Sequence, residues 1–378
     1  MDSTDLPTAA TVNREIAPGI QTVSLKSSSV EEFFITADLR AGDFATAARN
    51  AMDVVKSKSA TIVTQTVFAP MGPDNASVAA GKEAVGDCDW PVTWVDSGHR
   101  NGSTLGGMHI HAVSGAEVER ITLAGRPVGT IFQDDSARYC YLGDLWSSEA
   151  SSSRIEQAEQ TFDMMESAIR LGGMDFSNIV RTWLYLDELL QWYDSFNKVR
   201  DDFFRQRGVF DALVPASTGI SGANPAGAAV IAGAMGVEAL NDSVQASALP
   251  SPLQCPALEY GSSFSRAIEL NQPHCKRVVV SGTASIEPGG KTVYVDDVPG
   301  QIDLTMRVVK AILAQREMTW SDVTRAIAYF KSADFYQAYK DYCRAEDMPD
   351  MPTIITENDV CRDDLLFEIE VDAVLSAT

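Results

Sequence analysis

One pattern constrains this 378-residue chain more than any other: it repeats itself. Met174-Asp175-Phe176-Ser177-Asn178-Ile179-Val180-Arg181-Thr182-Trp183-Leu184-Tyr185 is matched by Met318-Thr319-Trp320-Ser321-Asp322-Val323-Thr324-Arg325-Ala326-Ile327-Ala328-Tyr329. Met, an aromatic, Ser, Arg and Tyr recur in register. Repetition on this scale means that one supersecondary plan is used more than once, and the plan must be read before any single residue.

The context of the two stretches repeats as well. A short apolar strand ending at glycine precedes each copy, Tyr139 to Gly143 and Val278 to Gly282. An amphipathic helix follows, Ser153 to Leu171 and Gln301 to Gln315, with apolar residues at helical spacing. Ser177 and Ser321 then mark a turn into a β-rich run. A second helix comes next (Gln191 to Arg205, Ala333 to Cys343), then a Pro-led turn (Val214 to Ser217, Met351 to Thr353) and a closing strand (Ala228 to Val237, Leu365 to Val374).

A third, more divergent copy stands at the front. Its strand is Glu32 to Ala37, its helix Asp43 to Ser57 and its next strand Ala60 to Phe68. Met71 to Asp89, rich in Gly, Pro, Asn and Ala, replaces the second helix; Trp90 to Trp94 takes the place of the turn, and Gly107 to Val113 closes the unit. The order is β-α-β-α-β in units of roughly 130 residues, the size of a small domain. Divisions at 1–128, 129–248 and 249–378 are expected. A sheet covered by helices on one face leaves the other bare, and three such units bury their bare faces around a common axis. The fold class is therefore α+β, three tandem units forming a single-chain pseudo-trimer, monomeric unless it associates further.

Composition narrows the function. Hydrophobic content of 45% and 22% charged residues are ordinary for a globular chain. A net charge of −22 argues against nucleic acid as a partner, because phosphate neutralisation needs clustered Lys and Arg. A pocket of two or three Arg for a small anion remains compatible with it. Met1 to Ala10 has no apolar run of the signal-peptide kind, and no stretch is apolar over a bilayer's width, so no membrane is expected. Six dispersed cysteines without CxxC spacing suit reduced thiols and a cytoplasmic location. His109 and His111 share a strand face but lack a third ligand at a recognisable spacing, so neither a metal nor any other cofactor is expected.

The segment with most chemistry in it runs from Glu357 to Val371. Glu368 and Glu370 leave one face of a strand while Phe367, Ile369 and Val371 leave the other. Such a strand is either half-solvated or lines a polar pocket. Cys361 and Arg362 stand just ahead of it. The thiol is either a small filler or a nucleophile whose pKa Arg362 depresses. Arg181, Arg266, Arg325 and Arg362 are the cations available for carboxylates. Ser281-Gly282-Thr283 ends a strand where glycine permits close backbone approach.

The middle copy resembles the RidA (YjgF) family, also called endoribonuclease L-PSP. The resemblance rests on Val180 to Leu186, on Asn197-Lys198-Val199-Arg200 with Phe203-Phe204, and on Val214 to Ile220. The last third is similar to the chorismatases, in which RidA-like, chorismate-mutase-like units are fused. Here the matching residues are Ser262 to Ala267, Val280 to Ile286 and Asp359 to Leu366 with Glu368-Ile369-Glu370. The resemblance implies a hydrolase or lyase that releases pyruvate from chorismate or a related enolpyruvyl ether carboxylate. It gives Glu368 the catalytic role of general acid, Cys361 a catalytic part in steering the product, and Arg181, Tyr185, Ser217, Gly282, Thr283 and Arg362 substrate contacts. The rival readings are a RidA-type enamine/imine deaminase and a silent metabolite-binding protein. Against the deaminase, no unit carries the Pro-Ala-Arg turn that grips its substrate carboxylate; Pro215-Ala216-Ser217 stands there instead. The Asn of the chorismatase Arg-x-Trp-Asn-Tyr stretch is Leu184 here. Only the third closing strand has its Glu, so a single working pocket is expected.

Overall fold

The computed structural model describes residues 9–39, 43–98, 105–148 and 152–377; the amino-terminal stretch read above lies, up to residue 8, outside them. The first unit contains β1 (Thr11–Ala17), β2 (Ile20–Lys26), β3 (Glu31–Asp38), α1 (Phe44–Ser57), β4 (Thr61–Ala69), α2 (Ala76–Val85), β5 (Val92–Asp96) and β6 (Gly107–Ser114). The second contains β7 (Glu119–Leu123), β8 (Arg126–Gln133), β9 (Ala137–Leu145), α3 (Arg154–Leu171), β10 (Ile179–Leu186), α4 (Tyr193–Gln206), β11 (Ala216–Ser221) and β12 (Val230–Ala239). The third contains β13 (Gln245–Leu249), β14 (Ala267–Asn271), β15 (Cys275–Ala284), α5 (Val298–Ala314), β16 (Val323–Phe330), α6 (Tyr336–Ala345), β17 (Thr353–Glu357) and β18 (Phe367–Ser376).

Each unit is a six-stranded mixed sheet with the same strand order, β1-β2-β3-β6-β4-β5 in the first and its equivalents in the others. All neighbours are antiparallel except the outermost pairs β4–β5, β10–β11 and β16–β17. The repeat is thus richer than β-α-β-α-β. Each Pro-led turn opens a further edge strand, β5, β11 or β17. One or two polar strands extend the opposite edge, and β13 (QASAL), exposed along most of its length, shows why they lacked a core-strand signature. The sheets change over at residues 115–118 and 240–244, so the divisions expected at 128/129 and 248/249 cut β8 and β13. The Gly- and Ala-rich stretch of the first unit does form a helix, α2. Gly81 lets it lie close: a Cβ there would sit 2.7 Å from Phe44 Cε1 and 3.0 Å from Trp94.

Helix starts follow from capping residues. Ser153 accepts from the Glu156 amide while Glu156 reaches back to Ser153, a full capping box for α3; Asp43 and Asp297 cap α1 and α5. In α3, Ala158, Thr161, Phe162, Met165, Ala168 and Ile169 form the buried stripe, and each unit has its own helix-on-sheet core of this kind.

The other sheet faces meet at a pseudo-threefold axis. Phe68, Tyr185 and Tyr329 occupy the same position in β4, β10 and β16 and converge there; Phe68 makes edge-on contacts with both tyrosines at 5.6 and 5.8 Å. One end of the axis is closed by a ring of backbone bonds between units: Asp96 N–H to Ala223 O (2.9 Å), Ser221 N–H to Asp359 O (3.0 Å) and Gly98 N–H to Glu357 O (3.1 Å). Asn358 donates both amide hydrogens into this ring, to Asp96 O and Ser221 O. Each unit's edge strand lies on the next unit's central strands, β5 on β9, β11 on β15 and β17 on β3 and β6, which creates three seams.

Phe68→Ala removes a fully buried ring from the aromatic trio to which each of the three units contributes one side chain. It should cost about 3–5 kcal/mol, measurable as a lowered urea midpoint with an unchanged fold by circular dichroism.

Candidate functional site

The seam between the second and third units gathers most of the residues singled out from the sequence. β11 supplies Ser217 and Thr218, β10 supplies Arg181 and Trp183, and β15 and β18 supply Gly282, Glu368 and Glu370. The seam is stitched by Ser217 N–H to Ser281 Oγ (2.9 Å), Gly282 N–H to Thr218 Oγ1 (3.0 Å) and Ser265 N–H to Pro215 O (3.0 Å).

Glu370 is the anchor. It is fully buried and accepts from Arg181 Nη2 at 3.0 Å, from Trp183 Nε1 at 3.0 Å and from Arg325 Nη2. Burial alone would raise its pKa, but Arg325 and Arg181 hold the carboxyl down at about 2, so it is ionised at neutral pH. Arg181 and Arg325 stand at the same position of their repeats; one comes across the seam and the other from within the unit. Arg325 also pairs with Asp372 at 3.1 Å, and Arg181 donates to Thr218 Oγ1 at 2.7 Å. The Nε and Nη1 atoms of Arg181 have no hydrogen-bond partner among the described residues.

Glu368 has the opposite character. It is 4% exposed and makes no ion pair or hydrogen bond among the described residues. Burial first, and then the negative charge of Glu370, push its pKa up to about 8 against the pull of Arg181 and Arg266. Two carboxyls on one strand face are therefore split into a fixed anion and a neutral acid. Gly282 makes room for the acid: it stands in a bulge of β15 opposite β18, and a Cβ there would collide with Glu368 Oε1.

Cys361 lies near this acid, and the thiol is not activated. Burial and Glu368 push its pKa up to about 12 against the effect of Arg362, so the depressed thiolate considered from sequence does not form. Arg362 donates to Gly290 O at 2.7 Å and lies over the Tyr260 ring at 5.6 Å. Arg266 donates to Cys255 O through two nitrogens and faces Tyr260 and Phe264. Both cations hang on loops around the acid, held by carbonyls rather than by carboxylates.

Three expected contacts belong elsewhere. Tyr185 is packed on the pseudo-threefold axis. The Thr283 hydroxyl is turned to Ser281 O at 2.8 Å within a fully buried side chain. Ser217 is bonded within the seam, accepting from Thr182 Oγ1 at 2.8 Å. Ser217 and Thr283 stand one step from Thr218 and Gly282, and strand alternation turns them away from the site, whereas Tyr185 shares the strand face of Arg181 and Trp183 and reaches the axis because it lies further along β10. Conversely, Tyr193, Arg200 and Thr218 belong to the site's surroundings and went unselected. Tyr193, from α4, is close enough to Cys361 and Glu368 to feel their charges and packs its hydroxyl 2.9 Å from where a Cβ of Gly219 would be. Arg200 is buried, bonds Asn197 Oδ1 at 2.9 Å and leaves Nε unpartnered. The Asn197–Arg200 motif held that signal.

His109 is a structural group. Its ring bridges Thr36 Oγ1 (2.9 Å) and Ala326 O (3.2 Å) across another seam, and burial, helped by Arg325, lowers its pKa to about 3. His111 bonds Glu32 at 3.0 Å instead of sharing a ligand with it.

Three comparisons bear on this arrangement. Residues 257–375 match the family model for endoribonuclease L-PSP. A chorismatase from Streptomyces hygroscopicus is 26% identical over 215 residues, 51% of this chain and 60% of the relative, so the match spans about three fifths of that protein. Among solved structures, a chorismatase crystal structure superposes with a TM-score of 0.60 at 18% identity, covering 83% of this chain and 93% of that one. The YjgF product of E. coli aligns over 34% of this chain and 98% of its own, at 18% identity and a TM-score of 0.28. No helix among the described residues is long and apolar enough to cross a membrane.

The raised pKa of Glu368 has a consequence for stability. Between about 4.5, the ordinary value, and about 8, the folded chain holds a proton that the unfolded chain has released. Stability is therefore lost as pH rises through that window. Glu368→Gln removes the dependence: it should match the natural chain near pH 4.5 and exceed it above pH 8 by on the order of 4 kcal/mol, read as the difference in urea midpoint at the two pH values.

Proposed function

We propose that this chain, of chorismatase-type fold and carrying an endoribonuclease L-PSP domain at residues 257–375, is a hydrolase that releases pyruvate from chorismate or a closely related enolpyruvyl ether carboxylate. The observation that carries this reading is the split carboxyl pair: a protonated, solvent-poor Glu368 two residues from an ionised Glu370.

Cleaving an enol ether needs a proton on carbon, and only an acid that is still protonated at neutral pH and shielded from water can deliver it efficiently. Glu368 gives its proton to the terminal methylene, which becomes a methyl group. The former enol carbon becomes an oxocarbenium ion, and the fixed charge of Glu370 stabilises it without reorganisation. Water adds to that carbon and returns a proton to Glu368. The C–O bond of the resulting hemiketal then breaks, and pyruvate and an alcohol leave. Arg266 and Arg362, held by carbonyl oxygens and not by carboxylates, and the unpartnered nitrogens of Arg181 offer guanidinium donors for the substrate carboxylates. Cys361, neutral at physiological pH, borders the acid and shapes the space for the ring rather than attacking it.

The deaminase reading lacks a comparable observation, since the residue where its carboxylate-binding Arg stands is Ser217, bonded inside the seam. A purely ligand-binding role would leave the strained proton affinity of Glu368 without a use.

Incubation of the protein with chorismate, followed by lactate-dehydrogenase-coupled detection, should show pyruvate. Glu368→Gln should lower kcat by about 100-fold or more, and the rate should fall tenfold per pH unit above about 8 as the acid ionises. Pyruvate release by Glu368→Gln at the natural rate would defeat this mechanism. Faster clearance of enzymatically generated aminoacrylate, with no pyruvate from chorismate, would favour the deaminase.

A further inference from the structure

The seam between the first and second units holds a cavity of about 540 Å³, within the usual range for small-molecule sites. Phe44, Trp90 and Trp94 wall it from the first unit, and Asp144, Trp146 and Ile231 from the second. We propose that this cavity is a second binding pocket, for a planar aromatic molecule that carries N–H or O–H donors and no carboxylate.

Its relation to the Glu368 seam can be read from strand register. Ile231 stands opposite Tyr185 in the second sheet as Glu368 stands opposite Tyr329 in the third. Asp144 sits in a bulge of β9 and donates its amide hydrogen to Thr93 Oγ1 at 3.0 Å; Gly282 sits in the matching bulge of β15 and donates to Thr218 Oγ1 at 3.0 Å. A side chain attached at Gly282 would run into the Glu368 carboxyl. Asp144 holds the same register position in the second unit, and it lines the cavity. This seam thus carries its acid on the bulge, with Ile231 at the closing-strand position. Asp144 has φ 53°, a left-handed backbone that Gly282 does not share, uncommon for a residue with a Cβ but one that Asp tolerates better than most.

The surroundings select the ligand. Asp144 is fixed by Trp146 Nε1 (3.0 Å to Oδ1) and Arg126 Nη1 (3.3 Å to Oδ2), and each carboxylate oxygen keeps acceptor capacity. Burial lifts its pKa to about 6, against the effect of Arg126 and Trp146. Arg126 lies over Trp146 at 3.9 Å and also donates to the carbonyls of Asp144 and Trp146. Lys82, at the rim, pairs with Asp87 at 3.0 Å. An incoming carboxylate would thus meet Asp144 with every nearby cation already engaged, whereas a flat ring finds indole faces and its donors find an acceptor. This occupant differs from the dicarboxylate proposed for the other seam, and the inference does not rest on that reading.

Calorimetric titration of the full chain with benzamidine, benzamide and benzoate tests it. Benzamidine and benzamide should bind saturably and at least tenfold more tightly than benzoate. Asp144→Asn should weaken benzamidine about tenfold, Ala226→Trp, an exposed lining position, should abolish binding by filling the mouth, and Glu368→Gln should leave it unchanged. Should Asp144→Asn fail to fold, Ala226→Trp still decides. Equal binding of benzoate, no binding of any probe, binding that survives Ala226→Trp, or binding lost in Glu368→Gln would each overturn the proposal.

Discussion

The structure depends on a single constraint: each sheet has helices on one face only, and the bare face must be buried against the other units. Phe68, Tyr185 and Tyr329 meet at the axis because a smaller or polar trio would leave three sheets facing a void or water. No unit satisfies this alone. The inter-unit core of Val30, Val113, Tyr139, Ile268 and Val279 joins strands from all three, and Asn358 closes the axis by bonding carbonyls of the other two. The seams that hold the chemistry are by-products of this closure: an edge strand laid on a neighbour's central strands creates a groove with side chains from both.

Closure also explains why a buried charge cluster is tolerated. Glu370 lies where water cannot reach it, and isolated it would neutralise by taking up a proton. Two guanidiniums from equivalent repeat positions and the Trp183 indole keep it ionised. That arrangement satisfies one carboxylate and leaves its neighbour with none, so the second becomes a neutral acid. The repeat thereby generates asymmetry. Arg181 and Arg325 are the same residue of the plan, and both converge on the unit whose closing strand carries the Glu368–Glu370 pair.

Much of this was legible in the chain. The motif from Met174 to Tyr185 and its echo at Met318 to Tyr329 announced β10 and β16 within a residue or two, and helical spacing announced α1, α3 and α5. Glu368 and Glu370 were recognisable as one strand face, and Gly282 as a point of close approach. The polar edge strands, the helix α2 and the strands opened by the Pro-led turns were not, because their sequences lack apolar periodicity and their stability comes from pairing with a neighbour. Ser217 and Thr283 sit in matching motifs yet are turned from the acid, since a motif gives adjacency along a strand while a one-residue step reverses the side; Tyr185 keeps the face of Arg181 but lies further along the strand, at the axis. The single working pocket expected from the missing glutamates concerns the closing strands alone; the seam between the first and second units carries Asp144 on a bulge of β9.

The sequence by itself determined the repeat, the strand and helix order of its core elements and the identity of the acidic pair, because periodicity and residue type are local properties. Only the tertiary structure decided which carboxyl is charged. That outcome depends on Arg181, carried across a seam from 189 positions away, reaching Glu370 and not Glu368. The same holds for Cys361, whose proximity to Arg362 in sequence suggested a thiolate while burial beside Glu368 keeps it neutral. Proton affinity in a folded chain is set by what surrounds a group in space, and that is fixed when the three units close.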